Sequence, residues 1–335
     1  MNATARCLLA CAVLTVGCAT PNTNEHAARS QSETGAGSRT ANAKSPATGD
    51  AVSASSASLK KSHEVEAGDR AATDGAAESK KRQPQATTSL DELLLFYPTK
   101  FPDGDWESRG LTFEDVWFTA ADGTRIHGWY CPCENPRALV LFCHGNAGNL
   151  SHRRPLLAYM QNDLRASVLI FDYRGYGRSE GTPSVDGILM DARAARSFLA
   201  EHAGVKESDI VLMGRSLGGA VAVHLASEEP PRGLILESTF SSFRDIAAEH
   251  YPALAWLVPR KKLDSASAIA QYRGPLLLSH GDADRTVPYA LGEKLFDAAH
   301  EPKQFVRVAG GDHNDPQPSE YYQQLDQFIG NLPNR

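Results

Sequence analysis

A lone serine lies between glycines where an apolar run gives way to a stretch with helical spacing. The segment is IVLMGRSLGGAVAVHLA, residues 210–226, and it places Ser216 between Gly214 and Gly218. Glycines two residues before and two residues after the serine leave room for a sharp turn that exposes its hydroxyl at a strand end. Because a serine hydroxyl is a weak nucleophile until a base activates it, the pattern predicts that Ser216 is an activated nucleophile.

Histidine is the base that most often serves a serine nucleophile, and the chain has eleven histidines. His313 lies in the glycine-rich segment GGDHND, residues 310–315, after the last apolar run, and from there it can reach back to the serine. His144 and His280 each precede a glycine at the end of an apolar run, where we expect them to orient loops through hydrogen bonds. The sequence therefore predicts that His313 is the general base.

A carboxylate is needed to fix the tautomer of that histidine and to stabilise its protonated form. With the order serine, acid, histidine along the chain, Asp282 and Asp284 in the segment HGDAD are the leading candidates. Glu237, after an earlier apolar run, is a weaker one. Strand alternation does not separate the two aspartates, because residues two apart point to the same face of a strand.

The oxyanion of a tetrahedral intermediate requires two backbone N–H donors. Leu217 directly follows the nucleophile, and its N–H is the first candidate. Asn146, in the loop after the apolar run 138–143, offers the second.

The elements that must position these residues can be read from the apolar pattern. Two alternating segments flank Ala121-Asp122-Gly123, which predicts a β-hairpin within residues 111–132. Short, continuously apolar runs follow at 138–143, 167–171, 210–213, 234–236, 275–279 and 305–308. Such runs are typical of strands buried on both faces, and the periodic stretch 185–202 between them predicts a helix. The fold class is therefore α/β, with a mostly parallel central sheet flanked by helices on both faces.

In such sheets the ligand lies beyond the carboxyl ends of the strands. The segments that carry the candidate catalytic residues all follow predicted strands. The segments concerned are HGNAGN (144–149), FDYRGYGRSEG (171–181), GRSLGGA (214–220), ESTFSS (237–242), HGDADRTVP (280–288) and GGDHND (310–315). Together they resemble the α/β-hydrolase superfamily over roughly residues 90–332, and more narrowly its serine-aminopeptidase-like branch, which includes depalmitoylating hydrolases.

The resemblance implies an α/β-hydrolase fold with Ser216 as nucleophile, Asp284 as acid, His313 as base, and Asn146 and Leu217 as oxyanion-hole donors. It also implies a small cap at about residues 240–273, and Tyr251, Leu254, Trp256, Leu257 and Val258 are expected to give that cap an apolar wall. A plain helical crossover between two strands is the alternative interpretation of the segment.

The N-terminus reads as an export signal followed by a tether. Residues 1–18 have a basic start and an apolar run too short to span a bilayer, which ends in Gly17-Cys18. We expect a lipoprotein signal with Cys18 lipidated, and an ordinary cleaved signal is one alternative. Lipidation at Cys11 is another, since Leu8-Leu9-Ala10-Cys11 fits the local pattern better but leaves almost no apolar run ahead of the cysteine. Residues 19–88 contain no aromatic residue and few large aliphatic ones, so they predict a disordered tether before a catalytic domain at 89–335. This organisation predicts a location in the cell envelope, anchored to a bacterial membrane by lipid.

The composition restricts the function further. A net charge of −6 and the lack of a concentrated basic segment argue against nucleic-acid binding. No paired Cys-x-x-Cys and no HExxH motif signals a metal, and no cofactor is expected. We therefore expect a serine hydrolase acting on a small-molecule or lipid-like ester or thioester. A peptidase using the same triad and a non-catalytic envelope binding protein are the alternatives, and the sequence fixes no oligomeric state.

Overall fold

The computed structural model describes residues 95–107 and 109–333. The predicted signal peptide with Cys18 and the predicted tether at 19–88 lie outside the described residues.

Eight strands form the central sheet. In chain order they are β1 Glu114–Thr119, β2 Arg125–Cys131, β3 Ala138–Cys143, β4 Ala166–Phe171, β5 Val211–Arg215, β6 Gly233–Glu237, β7 Leu276–Gly281 and β8 Lys303–Val308. The hairpin is β1–β2, and each apolar run predicted to be a strand is one. The continuous burial of β4 and β6 shows why: their residues are covered from both faces, so the apolar run needs no alternation.

The strand order is β8-β7-β6-β5-β3-β4-β2-β1. Strands β3 to β8 pair in parallel, while β2 pairs antiparallel with both β1 and β4. The chain moves outward in one direction from β3 to β4 and in the other direction from β5 onward. A crevice therefore opens between the carboxyl ends of β3 and β5, where such sheets bind ligands.

Within residues 95–107 and 109–333, seven helices connect and cover the strands. They are α1 Arg154–Asn162, α2 Val185–Ala203, α3 Leu217–Glu228, α4 Phe243–His250, α5 Ser265–Ile269, α6 Tyr289–Ala298 and α7 Ser319–Asn331. The helix predicted at 185–202 is α2. The Ser184 hydroxyl caps its start by accepting the Gly187 N–H, and Gly204 ends it in the left-handed region at φ 67°.

The core has two halves, one on each face of the sheet. Leu141 of β3 packs on one side with α2, α3 and α6, while its neighbours Val140 and Phe142 pack on the other side with α1 and α7. The prediction of a mostly parallel sheet with helices on both faces is confirmed. Among the described residues, no helix combines the length and apolar character that crossing a bilayer requires.

The segment predicted to form a cap lies between β6 and β7 and comprises α4, a short 3-10 turn at Ala255–Leu257, and α5. Its first part is tied to its second, since the Phe243 N–H donates to the Leu263 carbonyl. The expected apolar wall is only partly present. Val258 is buried, but the side chains of Leu254, Trp256 and Leu257 are exposed to solvent rather than packed inward.

Candidate active site

Ser216 occupies a strained turn between β5 and α3. Its backbone has φ 52° and ψ −120°, a conformation that side-chain-bearing residues seldom adopt. The Ser216 N–H donates to the Glu237 carbonyl at 2.9 Å, and the Ser216 carbonyl accepts from the Thr239 hydroxyl at 2.8 Å. Because these bonds hold the main chain on both sides of the turn, the surroundings fix the strained conformation.

The glycines of the turn are required by close backbone approach. A Cβ at Gly214 would lie 2.2 Å from the Gly218 carbonyl oxygen. A Cβ at Gly218 would lie 2.0 Å from the Cys143 carbonyl oxygen, at the end of β3. Both contacts are far below van der Waals separation, so only glycine lets α3 begin this close to β3 and β5.

His313 lies in the loop after β8 and contacts one carboxylate. Its Nδ1 is 2.7 Å from Asp284 Oδ2, and its ring is largely buried, with 8% of the residue exposed. The other oxygen, Asp284 Oδ1, accepts the backbone N–H groups of Thr286 at 2.9 Å and Val287 at 2.7 Å. The carboxylate is thus fixed on both oxygens. His313 Nε2 makes no hydrogen bond within the described part of the chain, so it is available to a reacting group.

Burial of the Asp284 carboxyl acts to raise its pKa, but hydrogen bonds outweigh this effect. The contacts with His280 and His313, together with the Val287 N–H, hold the pKa of Asp284 well below its usual range. Asp284 is therefore ionised at neutral pH and accepts the Nδ1–H of His313, which leaves Nε2 as the ring nitrogen that can accept a proton.

The other two acid candidates are engaged elsewhere. Asp282 binds the Arg307 guanidinium, with Nε at 2.8 Å, and accepts the Gly310 N–H at 2.6 Å. Glu237 is buried and accepts the Tyr321 hydroxyl. Burial raises the pKa of Glu237. Within the part of the chain that the structure describes, neither side chain forms a hydrogen bond or ion pair with His313.

His144 and His280 both orient loops, as expected. His144 Nδ1 lies 2.7 Å from the Gly145 carbonyl oxygen, and His280 Nε2 lies 2.8 Å from the Val287 carbonyl oxygen. Burial is the main cause that lowers the pKa of His144, to about 4. His144 is consequently a neutral ring that shapes the loop leading to Asn146.

The two candidate oxyanion donors flank the crevice between β3 and β5. Neither the Asn146 N–H nor the Leu217 N–H donates to an acceptor in the described ranges. Gly145 places the first loop against the nucleophile, since a Cβ there would lie 3.6 Å from Ser216 Cβ. The Asn146 side chain is held by its neighbours, since its Oδ1 accepts the Tyr176 hydroxyl at 2.9 Å and the Tyr97 N–H at 3.3 Å.

Arg215 is a site residue that the sequence reasoning missed. Its Nη2 donates to the main-chain carbonyl of His313, so the residue next to the nucleophile holds the loop that carries the base. The same guanidinium counteracts the effect of burial on the Glu237 carboxyl, opposite it on β6. No sequence signal links Arg215 to a carbonyl 98 residues away.

The arrangement combines a serine on a sharp turn, an imidazole with one nitrogen held by a carboxylate, and two N–H groups without acceptors. Ser216, Asn146, Asp284 and His313 follow β5, β3, β7 and β8, so all lie at one edge of the sheet. Side chains of these types can attack a carbonyl carbon, move a proton and stabilise an oxyanion. The described residues contain no group of three or more His, Cys, Asp or Glu that could hold a metal ion.

Comparison with known proteins gives the family. The family model described as serine aminopeptidase, S33, matches residues 134–266. The uncharacterized protein Rv2307c of Mycobacterium tuberculosis is 42% identical over 235 residues, which cover 68% of this chain and 82% of that protein. The alpha/beta hydrolase domain-containing protein WAV2 of Arabidopsis thaliana is 37% identical over 228 residues, covering 61% of this chain and 73% of that protein.

The fold is also similar to that of a solved esterase. The Pyrococcus furiosus esterase Pf2001 superimposes with a TM-score of 0.60 at 19% identity, over 71% of this chain and 98% of that chain. At this identity the likeness concerns the fold. Taken with the sequence relatives and the order β8-β7-β6-β5-β3-β4-β2-β1, it leads to one assignment: the chain belongs to the α/β-hydrolase superfamily.

Proposed function

We propose that the protein is a serine hydrolase that cleaves a carboxylic ester or thioester through an acyl-enzyme on Ser216. One observation carries the proposal. His313 is bonded to Asp284 through Nδ1 and keeps Nε2 free, at the same sheet edge as a serine held on a strained turn. Strained backbone positions and carboxylates with strongly shifted pKa values both cluster at catalytic sites.

In the proposed mechanism the Ser216 hydroxyl gives its proton to His313 Nε2 as its oxygen attacks the carbonyl carbon. The carbonyl electron pair moves to oxygen, and the N–H groups of Asn146 and Leu217 stabilise the resulting oxyanion. When the intermediate collapses, the bond to the leaving alcohol or thiol breaks and the imidazolium returns the proton to that group. Water then gives a proton to His313 Nε2 and attacks the acyl carbon. The bond between that carbon and Ser216 Oγ breaks, Oγ takes the proton back, and the acid is released. Asp284 remains ionised and stabilises the imidazolium.

An aminopeptidase with the same triad is the second candidate, favoured by the name of the matching family model. Such an enzyme needs an anionic group to bind the substrate's ammonium. Four carboxylates lie at the carboxyl ends of β6, β7 and β8, and each is already engaged: Glu237 with Tyr321, Asp282 with Arg307, Asp284 with His313 and Asp312 with Arg285. This arrangement supports ester cleavage over release of N-terminal residues. A purely binding role is disfavoured by the complete set of reactive groups.

A fluorophosphonate probe tests the nucleophile directly. Wild-type protein should be labelled on Ser216, and Ser216→Ala should lose labelling and several orders of magnitude in turnover. Ser238→Ala is the matched control, because Ser238 follows the neighbouring strand β6, and this variant should label normally. Rates on nitrophenyl esters and aminoacyl-anilides then separate the two enzyme candidates. Unlabelled wild-type protein would leave only the binding role, and faster cleavage of the anilides would favour the peptidase.

We also propose that the mature chain is held at a bacterial membrane by a lipidated Cys18. The support is the apolar run that ends in Gly17-Cys18, followed by a long polar segment. Cys18→Ser should abolish palmitate incorporation and detergent partitioning in a Gram-negative host, whereas the control Cys11→Ser should keep both. Partitioning that survives Cys18→Ser would refute this anchor.

A further inference from the structure

Large apolar side chains are exposed at one turn of the segment between β6 and β7. Leu254, Trp256 and Leu257 are 49%, 68% and 54% exposed. They lie within four residues and make up half of the large hydrophobic side chains that are exposed in the described part of the chain. Scattered exposed apolar residues need no explanation, but a cluster led by a tryptophan indicates an interaction surface.

The turn is a built structure rather than a frayed loop. Ala255 and Val258 are buried and anchor it, and the N–H groups of Leu254, Leu257 and Val258 donate to carbonyls within residues 251–255. The Trp256 indole N–H donates to the Ala253 carbonyl at 3.0 Å. With its one polar group satisfied inside the turn, the Trp256 ring presents only apolar surface outward.

Positive charge adjoins these side chains. Arg260 and Lys261 are exposed, and neither forms an ion pair or side-chain hydrogen bond with another described residue. Residues 251–263 contain no aspartate or glutamate. Arg260 and Lys261 therefore add two positive charges beside the apolar cluster, in a chain whose net charge is −6.

The turn lies beside the candidate active site. At the start of the segment, His250 Nε2 is 2.8 Å from the carbonyl oxygen of Thr286, two residues beyond Asp284. The start of the segment is thus bonded to the loop that carries Asp284.

We propose that residues 254–261, called here the docking turn, bind the surface of an anionic lipid bilayer and place the active-site crevice against it. Tryptophan is favoured at the interface between headgroups and acyl chains, leucine side chains insert below it, and arginine and lysine bind anionic headgroups. A bilayer fits this surface better than a second copy of the chain, because exposed tryptophan and leucine beside cationic side chains match the layers of an interface, with acyl chains beneath anionic headgroups. The proposal deepens the proposed function by naming a lipid-borne ester as substrate, and it rests on that function only for the hydrolysis measurement.

Vesicle flotation tests the binding. The full chain carries Cys11→Ser and Cys18→Ser, so that no lipid anchor contributes, and Ser216→Ala, so that no turnover occurs. It is mixed with phosphatidylcholine vesicles with and without phosphatidylglycerol. Trp256→Ala/Leu257→Ala should weaken binding by at least about tenfold, since both side chains leave the bilayer. Arg260→Gln/Lys261→Gln should weaken binding to the anionic vesicles by roughly tenfold to thirtyfold, and added salt should do the same to the parent.

The matched control is Val205→Ala/Lys206→Gln, an exposed apolar residue next to an exposed basic one after α2, and it should bind as the parent does. Equal binding of the parent and Trp256→Ala/Leu257→Ala would overturn the proposal. So would unchanged anionic binding by Arg260→Gln/Lys261→Gln. A concentration-dependent dimer that Trp256→Ala/Leu257→Ala abolishes would assign the surface to a second copy and also overturn the proposal.

Hydrolysis by the chain with Ser216 intact separates docking from catalysis. On a soluble short-chain ester, Trp256→Ala/Leu257→Ala should match the parent, because these exposed side chains support no core packing. On a long-chain ester embedded in anionic vesicles, the same variant should lose about tenfold or more in rate. Equal losses on both substrates would place the turn in the substrate pocket and refute docking. Normal vesicle binding with no activity on either ester would refute the proposed function and leave docking intact.

Discussion

Asp284 Oδ2 lies 2.7 Å from His313 Nδ1, whereas Asp282, two residues earlier, binds Arg307 instead. The turn after β7 produces this difference. The Asp284 N–H donates to the Gly281 carbonyl, and Asp284 then turns inward toward the backbone N–H groups of Thr286 and Val287. Asp282 remains at the sheet edge beside β8.

We predict that Asp284→Asn lowers turnover of a soluble ester by roughly three to four orders of magnitude, because an amide favours the wrong tautomer of His313. Asp282→Asn should lose no more than about tenfold, through a loosened loop. Both variants are measured at saturating ester after equal melting temperatures have been established. If Asp282→Asn were the more damaging variant, the assignment of the acid would be wrong.

The strands and the sharp turn at Ser216, called here the elbow, could be predicted because they depend on the local pattern of residue types. A strand covered on both faces is a continuous apolar run, as in β4, and a turn as tight as that at Ser216 demands glycine nearby. Strand alternation does not separate Asp282 from Asp284, because it repeats every two residues and the turn between them depends on tertiary contacts. Only the family resemblance pointed to Asp284. The hydrogen bond from Arg215 to the His313 carbonyl also depends on tertiary contacts, so no local sequence pattern predicts it.

Arg215 should act as a positioning residue for the His313 loop. Arg215→Gln removes the donor to the His313 carbonyl and should lower kcat by roughly tenfold to a hundredfold, with little change in KM for a soluble ester. It should also reduce the free energy of unfolding, since the buried Glu237 carboxylate loses its compensating charge.

The double variant Arg215→Gln/Glu237→Gln distinguishes the two effects. It removes the uncompensated charge and keeps an oxygen to accept the Tyr321 hydroxyl, so stability measured by urea unfolding should recover while kcat does not. Recovery of both quantities would mean that Arg215 serves only the folded state. A wild-type kcat for Arg215→Gln would exclude any positioning role.

His144 should make stability depend on pH. Burial lowers its pKa from 6.5 to about 4, so the unfolded chain binds this proton at a higher pH than the folded chain does. The stabilisation is complete above about pH 6.5 and is lost as the pH falls toward 4, with an upper size of about 3 kcal/mol. In His144→Asn the side-chain N–H can still donate to the Gly145 carbonyl, but the group no longer titrates.

The measurement is the free energy of unfolding in urea across this pH range. The free energy of unfolding should rise less steeply with pH for His144→Asn than for wild type. The difference in slope should correspond to at most about one bound proton. The exposed His202 provides the control, and His202→Asn should leave the slope near that of wild type. Parallel curves for wild type and His144→Asn would show that His144 does not titrate in this way.

Gly218 lets the turn at Ser216 lie directly against the end of β3. Gly218→Ala would put a methyl group 2.0 Å from the Cys143 carbonyl oxygen and 2.5 Å from that of His144, and both are backbone atoms at a strand end. Because neither can move without displacing β3, we expect a loss of about 1–3 kcal/mol in the free energy of unfolding. Gly145→Ala is the matched control on the facing loop, where the new methyl group would meet its nearest atom, the Arg215 carbonyl oxygen, at an ordinary 3.5 Å. Its stability should stay within about 1 kcal/mol of wild type. Urea unfolding of the two variants measures the difference, and a Gly218→Ala protein as stable as Gly145→Ala would show that the elbow tolerates a side chain at that contact.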